Sequence, residues 1–148
     1  MILQINTNKT TLQSNTNNKV IYKELSYKIV GILFNIHGEL GGRYQEKYYQ
    51  RAIEEELRNN NIGYKKEIPV DLTYNNKRIG KYILDFLIEN KIVLEIKTVP
   101  KLRPEDFRQV LAYLKAKNIK LGILSNFRGS KLVFKRILNT ELKNNHYS

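Results

Sequence analysis

Two short, strongly apolar runs stand three residues apart in this chain, and charge interrupts both of them. Residues 82–88 read YILDFLI and residues 92–97 read IVLEIK, with Glu89, Asn90 and Lys91 between. Runs of this length, rich in branched and aromatic side chains and broken by a polar junction, predict two strands of a hairpin. Strands this apolar are covered on both faces, where a charged side chain persists only if it is paired or engages an ion. Asp85 interrupts the first run; Glu95 and Lys97 interrupt the second. The E-x-K triplet has no weight by itself, because it recurs at Glu89/Lys91 and Glu141/Lys143. Only Glu95 and Lys97 lie inside an apolar strand.

The hairpin loop decides what these charges can do. A three-residue loop, 89–91, pairs Ile88 with Ile92 and sets Asp85 opposite Glu95. Glu95 and Lys97, two apart in a strand, project to the same side. Directly opposite residues share a face, so two carboxylates and an ammonium then converge. A two-residue loop, 90–91, sets Asp85 opposite Ile96 and disperses the cluster.

Elsewhere the pattern is regular. Leu25, Ile29, Ile32, Leu33 and Ile36 recur every three or four residues and predict a helix from near Ser26, ended by the glycines of 37–42. A second helix is expected over 44–59, with Tyr49, Ala52, Ile53 and Leu57 on one stripe. Alternation of Ile68, Val70 and Leu72 predicts a strand over 66–74, and Pro69 within it suits a sheet edge. The hairpin strands are expected at 78–88 and 91–99. Pro104, Glu105 and Asp106 open a third helix that stops near Asn118. Strands at 120–125 and 131–137 flank a turn at 128–130. The fold class expected is α/β (α+β, a mixed sheet flanked by helices) in a single domain over 21–138, between a flexible polar arm (1–20) and a polar tail (139–148).

Composition narrows the chemistry. The chain has 148 residues, enough for one layered core, and 41% hydrophobic content supports a folded domain. It lacks cysteine, which excludes disulfides, thiolate metal sites, iron–sulfur clusters and cysteine nucleophiles. With only His37 and His146, a multi-histidine centre or a histidine-based triad is excluded in practice. The formal charge of +12 favours a polyanionic partner, whose counterions are released on binding. No apolar run has membrane-spanning length and no signal-peptide pattern opens the chain, so a cytoplasmic protein is expected.

Two convergent carboxylates offer hard oxygen ligands to Mg2+ or Mn2+. Lys97 beside them can orient an attacking water or stabilise developing negative charge. Glu46 lies three residues before Tyr49 and seven before Ile53, on the apolar stripe of its helix, and is a candidate further ligand. Gln109 and Tyr113 share a helix face, which by spacing alone describes a polar helix edge.

With these elements laid out, the chain resembles the GxxExxY family of the PD-(D/E)xK nuclease superfamily, over roughly residues 24–138. Glu46–Lys47–Tyr48–Tyr49 matches the ExxY element, with Arg43 where the family has glycine and Gly41 and Gly42 just upstream. Asp85 and Glu95–Ile96–Lys97 match the acidic position and the ExK. Gln109 and Tyr113 fit the Q-x-x-x-Y of the RecB-type branch, and the stretches 121–127 and 135–137 resemble the C-terminal strands. The resemblance implies a restriction-endonuclease-like core of helix, three antiparallel strands, helix and strand, here with an extra N-terminal helix. It implies a Mg2+- or Mn2+-dependent phosphodiesterase acting on nucleic acid, DNA ahead of RNA. Asp85, Glu95 and Lys97 would be catalytic. Asp85, Glu95, the Ile96 carbonyl and Glu46 would hold metal, and Gln109, Tyr113 and Tyr49 would contact substrate or support the site. A catalytically silent nuclease-fold module that binds nucleic acid or a partner protein is the second reading. A homodimer or an accessory protein partner is compatible with either.

Overall fold

The computed structural model describes residues 22–142, so the expected N-terminal arm and the end of the tail lie outside the described residues. Helix α1 (Lys23–Leu40) and helix α2 (Glu46–Asn59) precede strands β1 (Tyr64–Tyr74), β2 (Lys77–Ile88) and β3 (Ile92–Lys97). Helix α3 (Pro104–Lys117) and strands β4 (Leu121–Asn126) and β5 (Val133–Leu138) complete the order. The eight elements among the described residues occur where periodicity places them, with ends shifted by a few residues. The five strands among the described residues form one sheet in sequence order, antiparallel except for the parallel β3–β4 pair, which α3 connects. β1 is an edge strand, which accommodates Pro69 and its missing N–H donor.

The sheet separates two cores. On one side Ile29, Leu33, Ile53 and Leu57 of α1 and α2 pack against Phe86, Ile92 and Leu94. On the other, Val110, Tyr113 and Leu114 of α3 pack against Leu84, Val93 and Leu124. β3 and β4 lie under both layers, which explains why their sequences are continuously apolar rather than alternating.

Two glycines set close approaches. Gly122 lets α3 lie on β4: a Cβ there would fall 2.7 Å from the Val110 Cγ1. Gly42, after α1, runs against the β4–β5 turn, where the Gly129 N–H donates to its carbonyl at 3.3 Å. His37 braces the same junction by donating from Nε2 to the Gly129 carbonyl at 3.0 Å. A Cβ on Gly42 would come within 2.0 Å of that Gly129 oxygen.

The tail begins later than its polarity implies. Asn139 is buried and donates from Nδ2 to the Ile119 carbonyl at 3.1 Å, while its own N–H donates to the Lys120 carbonyl at 2.8 Å. Its amide closes polar groups that the end of α3 leaves open, so a polar residue belongs to the core here.

Because the atom met by a Gly42 Cβ is backbone, it has no rotamer by which to escape. Gly42→Ala is expected to destabilise the protein by about 2 kcal/mol or more. Urea unfolding measures this, and a midpoint equal to wild type would show that the two loops do not touch as described.

Candidate active site

The β2–β3 turn fixes the register. Glu89 and Asn90 both adopt left-handed backbone conformations, and the Lys91 N–H donates to the Ile88 carbonyl at 2.9 Å. Glu89 is held in that conformation by the loop before β1: its N–H donates to the Gly63 carbonyl at 2.9 Å, and its Oε2 accepts the Gly63 N–H at 2.6 Å. The resulting pairs are Ile88 with Ile92, Leu87 with Val93 and Phe86 with Leu94. This is the three-residue-loop register that brings Asp85 to Glu95.

Backbone pairing between β2 and β3 then stops. In an antiparallel ladder with Leu94 facing Phe86, the next bonded pair would join Ile96 to Leu84. The Asp85 carboxylate takes that place instead, its Oδ2 accepting the Ile96 N–H at 2.8 Å. Glu95 reciprocates: its Oε1 accepts the Asp85 N–H at 2.7 Å. Each carboxylate therefore binds the backbone of the opposite strand, and the strands part around them. The N–H and C=O of one strand residue point toward the same neighbour. The Ile96 carbonyl accordingly faces this gap, whereas the Glu95 carbonyl faces β4 and accepts Ser125 Oγ at 3.0 Å.

The gap also marks a reversal in the sheet. Phe86 and Ile88 pack on the α1/α2 side, yet Leu84 and Tyr82 pack on the α3 side. On β1, Lys66 reaches Glu54 of α2 at 3.0 Å, whereas Ile68 packs toward α3. Strict alternation would keep each of these sets on one face. The change occurs at Asp85 and Glu67, which are skipped in the β1–β2 register between the pairs Lys66–Phe86 and Ile68–Leu84. Glu67 has φ 53°, a conformation uncommon for a residue with a Cβ. Asp85 thus leaves backbone pairing on both of its flanks and becomes available as a ligand.

Helices close the gap from either side. Gln50 of α2 donates from Nε2 to Asp85 Oδ1 at 3.0 Å and to Glu46 Oε1 at 3.4 Å. From α3, Gln109 accepts Lys97 Nζ at 3.3 Å on Oε1. Tyr113 is buried, with its ring edge-on to Tyr82 at 5.5 Å. Burial and the charges of Glu95 and Asp85 push its phenol up from the usual range.

Electrostatically the site favours a cation. Glu95 is only 4% exposed, and burial followed by the Asp85 charge raises its carboxyl far above the ordinary range. Burial likewise raises Asp85, although the Ile96 N–H and Lys97 pull it back. Glu46 is raised by burial and then by Asp85. A bound divalent ion would relieve all three. Both principal donors are hard carboxylate oxygens with a carbonyl beside them, a set suited to Mg2+ or Mn2+ and not to softer metals. Among the described residues, no group of three or more His, Cys, Asp or Glu side chains is placed to hold a metal ion.

Most of the sequence-derived residues meet here: Asp85, Glu95, Ile96 and Lys97 at the strands, Gln109 and Tyr113 from α3, and Glu46 at the edge. Glu46 does not join the carboxylate pair directly, because the Gln50 amide lies between it and Asp85. Tyr49 is turned away from the site. It is fully buried among α1, α2 and β4–β5, stacks on Phe127 at 4.4 Å and donates to the Gly41 carbonyl at 2.5 Å. Its role is to fix the α1–α2 loop, since position four of the ExxY spacing lies on the inward face of the helix. Gln50 has no mark in the apolar pattern, and its place one turn after Glu46 is the signal that could have found it.

The raised carboxyls make stability depend on pH with a definite sign. Below the unfolded pKa, near 4, both states carry the proton and Glu95 has no effect. As pH rises from there through the raised native pKa, the unfolded state ionises first and the metal-free fold loses stability. Glu95→Gln, which keeps an acceptor oxygen for the Asp85 N–H, is expected to melt higher than wild type at pH 8 in EDTA. The gain should be on the order of 2 kcal/mol and vanish at pH 4. A variant that melts at or below the wild type at pH 8 contradicts this electrostatic picture.

Comparison with known proteins agrees with the geometry. Residues 23–137 match the family model described as PD-(D/E)XK nuclease superfamily. Among solved structures, the crystal structure of SSO0001 aligns with a TM-score of 0.51 and 24% sequence identity, covering 64% of this chain and 50% of that one. This chain therefore spans about half the length of SSO0001, and the likeness is one of fold. No curated protein matches the chain significantly in sequence. The family match covers all eight elements nearly to the end of β5, and within it lie the acidic gap and its lysine: the chain belongs to the PD-(D/E)XK nuclease superfamily.

Proposed function

We propose that this protein is a metal-dependent nuclease that hydrolyses phosphodiester bonds of nucleic acid, DNA ahead of RNA. The observation that carries the reading is the interrupted β2–β3 ladder, in which half-buried Asp85 and buried Glu95 meet beside Lys97. A purely structural strand pair would close this ladder with backbone bonds and spare two desolvated carboxylates. Asp85, Glu95 and the Ile96 carbonyl would hold Mg2+ or Mn2+. A divalent ion so held supplies a Lewis acid for a phosphoryl oxygen and makes a water more acidic.

The chain's own groups do the rest. Gln50 and the Ile96 N–H occupy one oxygen each of Asp85 and fix the plane of its carboxylate. The Asp85 N–H does the same for Glu95. Lys97, which donates to Gln109, would orient the attacking water and stabilise charge that develops on the phosphorus oxygens. Lysines and arginines on the surface bind the phosphate backbone without reading bases.

Supercoiled, linear duplex and single-stranded DNA, with RNA alongside, should be cleaved in Mg2+ or Mn2+ and left intact in EDTA. Asp85→Asn and Lys97→Ala are each expected to lower the rate by about a hundredfold or more. In parallel, Mg2+ should raise the melting temperature of the wild type but not of Asp85→Asn. Wild-type rates in both variants would refute the assignment.

A further inference from the structure

Across the first turns of α3 from Lys97 lies a cavity of about 600 Å3 that the catalytic groups do not use. Its walls are apolar, with Pro100, Leu102, Pro104, Phe107 and Val133. Lys101, Arg128 and Lys135 add positive charge, and among the described residues no acidic side chain lines it. The cavity is continuous with the site in the chain. The loop 98–103 that forms one wall leads directly out of Lys97, and Asn126 at its floor pairs with Lys97 in the β3–β4 register. The Asn126 side chain holds that loop, accepting the Val99 N–H at 3.1 Å and donating to the Val99 carbonyl at 2.8 Å. Arg128 is positioned by the same amide, which accepts its N–H at 3.3 Å.

The lining selects among ligands. A wholly apolar ligand would bury the half-buried Lys135 further without compensating its charge. A simple phosphate would leave the wall of Phe107, Leu102 and Val133 open to water. A nucleotide has both a flat, largely apolar heterocycle and a phosphate. The volume falls within the range of small-molecule sites, whereas a base pair inside a duplex keeps its heterocycles stacked and out of reach. Lys135, whose Nζ stands 5.7 Å from the centre of the Phe107 ring, already pairs a cation with that aromatic wall. Burial lowers its affinity for a proton, a cost that a phosphate beside it would offset.

We propose that this cavity is a subsite for one unpaired nucleotide of a nucleic-acid strand, with the base against Phe107, Leu102 and Val133 and the phosphate on Lys135 and Arg128. The inference rests on the nuclease reading and gives it a substrate preference: strands with single-stranded ends or gaps over fully paired duplex.

Binding can be measured apart from cleavage, by fluorescence anisotropy in EDTA at fixed salt. The probes are a labelled duplex with a three-nucleotide overhang and its blunt counterpart. Wild type should favour the overhang. Phe107→Leu, which keeps apolar bulk, should reduce that preference by about tenfold and leave blunt-duplex binding little changed, and Arg128→Glu should weaken binding of the overhang more than that of the blunt duplex. Equal loss on both probes, or wild-type preference in both variants, overturns the subsite. So does binding of free dTMP as tight as that of the overhang, which would mark a mononucleotide pocket. If metal-dependent cleavage by the wild type persists in those cases, the nuclease reading survives. A wild type that neither binds nor cleaves any of these strands removes both.

Discussion

A carboxylate standing in for a backbone partner organises this molecule. Where β2 and β3 would continue their ladder, Asp85 accepts the Ile96 N–H and Glu95 accepts the Asp85 N–H. The exchange satisfies both buried donors, so the strands can part without leaving orphan amides. It also sets the facing of the rest of β2, because the hairpin turns over at this point and carries Leu84 and Tyr82 onto the α3 side. The site and the reversal of the sheet are one feature.

Such an arrangement is held against its own electrostatics. Buried Glu95 and half-buried Asp85 are raised toward their neutral forms, and Lys97 answers only part of the repulsion. What holds them is the packing on either side: α1 and α2 over Phe86, Ile92 and Leu94, and α3 over Val93 and Leu124. The register is further pinned at a distance, where Glu89 is tied to Gly63. Strain at Glu67 and charge at Glu95 are concentrated together, as is common where structure is over-determined for a task.

The helices contribute through polar tips on otherwise apolar faces. Gln50 and Glu46 reach in from the first turns of α2, while Gln109 and Tyr113 do so from α3. The anchors of these helices are elsewhere: Tyr49 against Phe127, and α3 against the bare backbone of Gly122. Tyr49 and Gln50 adjoin in sequence, yet one fixes a loop and the other touches Asp85. A helix advances by about 100° per residue, so neighbours serve different surfaces.

The sequence by itself determined the elements of the described residues, the mixed sheet and the charged strand positions. Hydrophobic period and punctuation are local properties, and Asp85, Glu95 and Lys97 break an apolar pattern that is legible without coordinates. It limited the hairpin register to two choices. The tertiary structure decided between them, because the contact that selects the longer loop joins Glu89 to Gly63, 26 residues away. Tertiary structure alone also stacked Tyr49 on Phe127, joined Gln50 to Asp85, buried Asn139 and opened the ladder at Ile96. Each of these depends on which surface another element presents, a quantity that no spacing along one strand or helix contains.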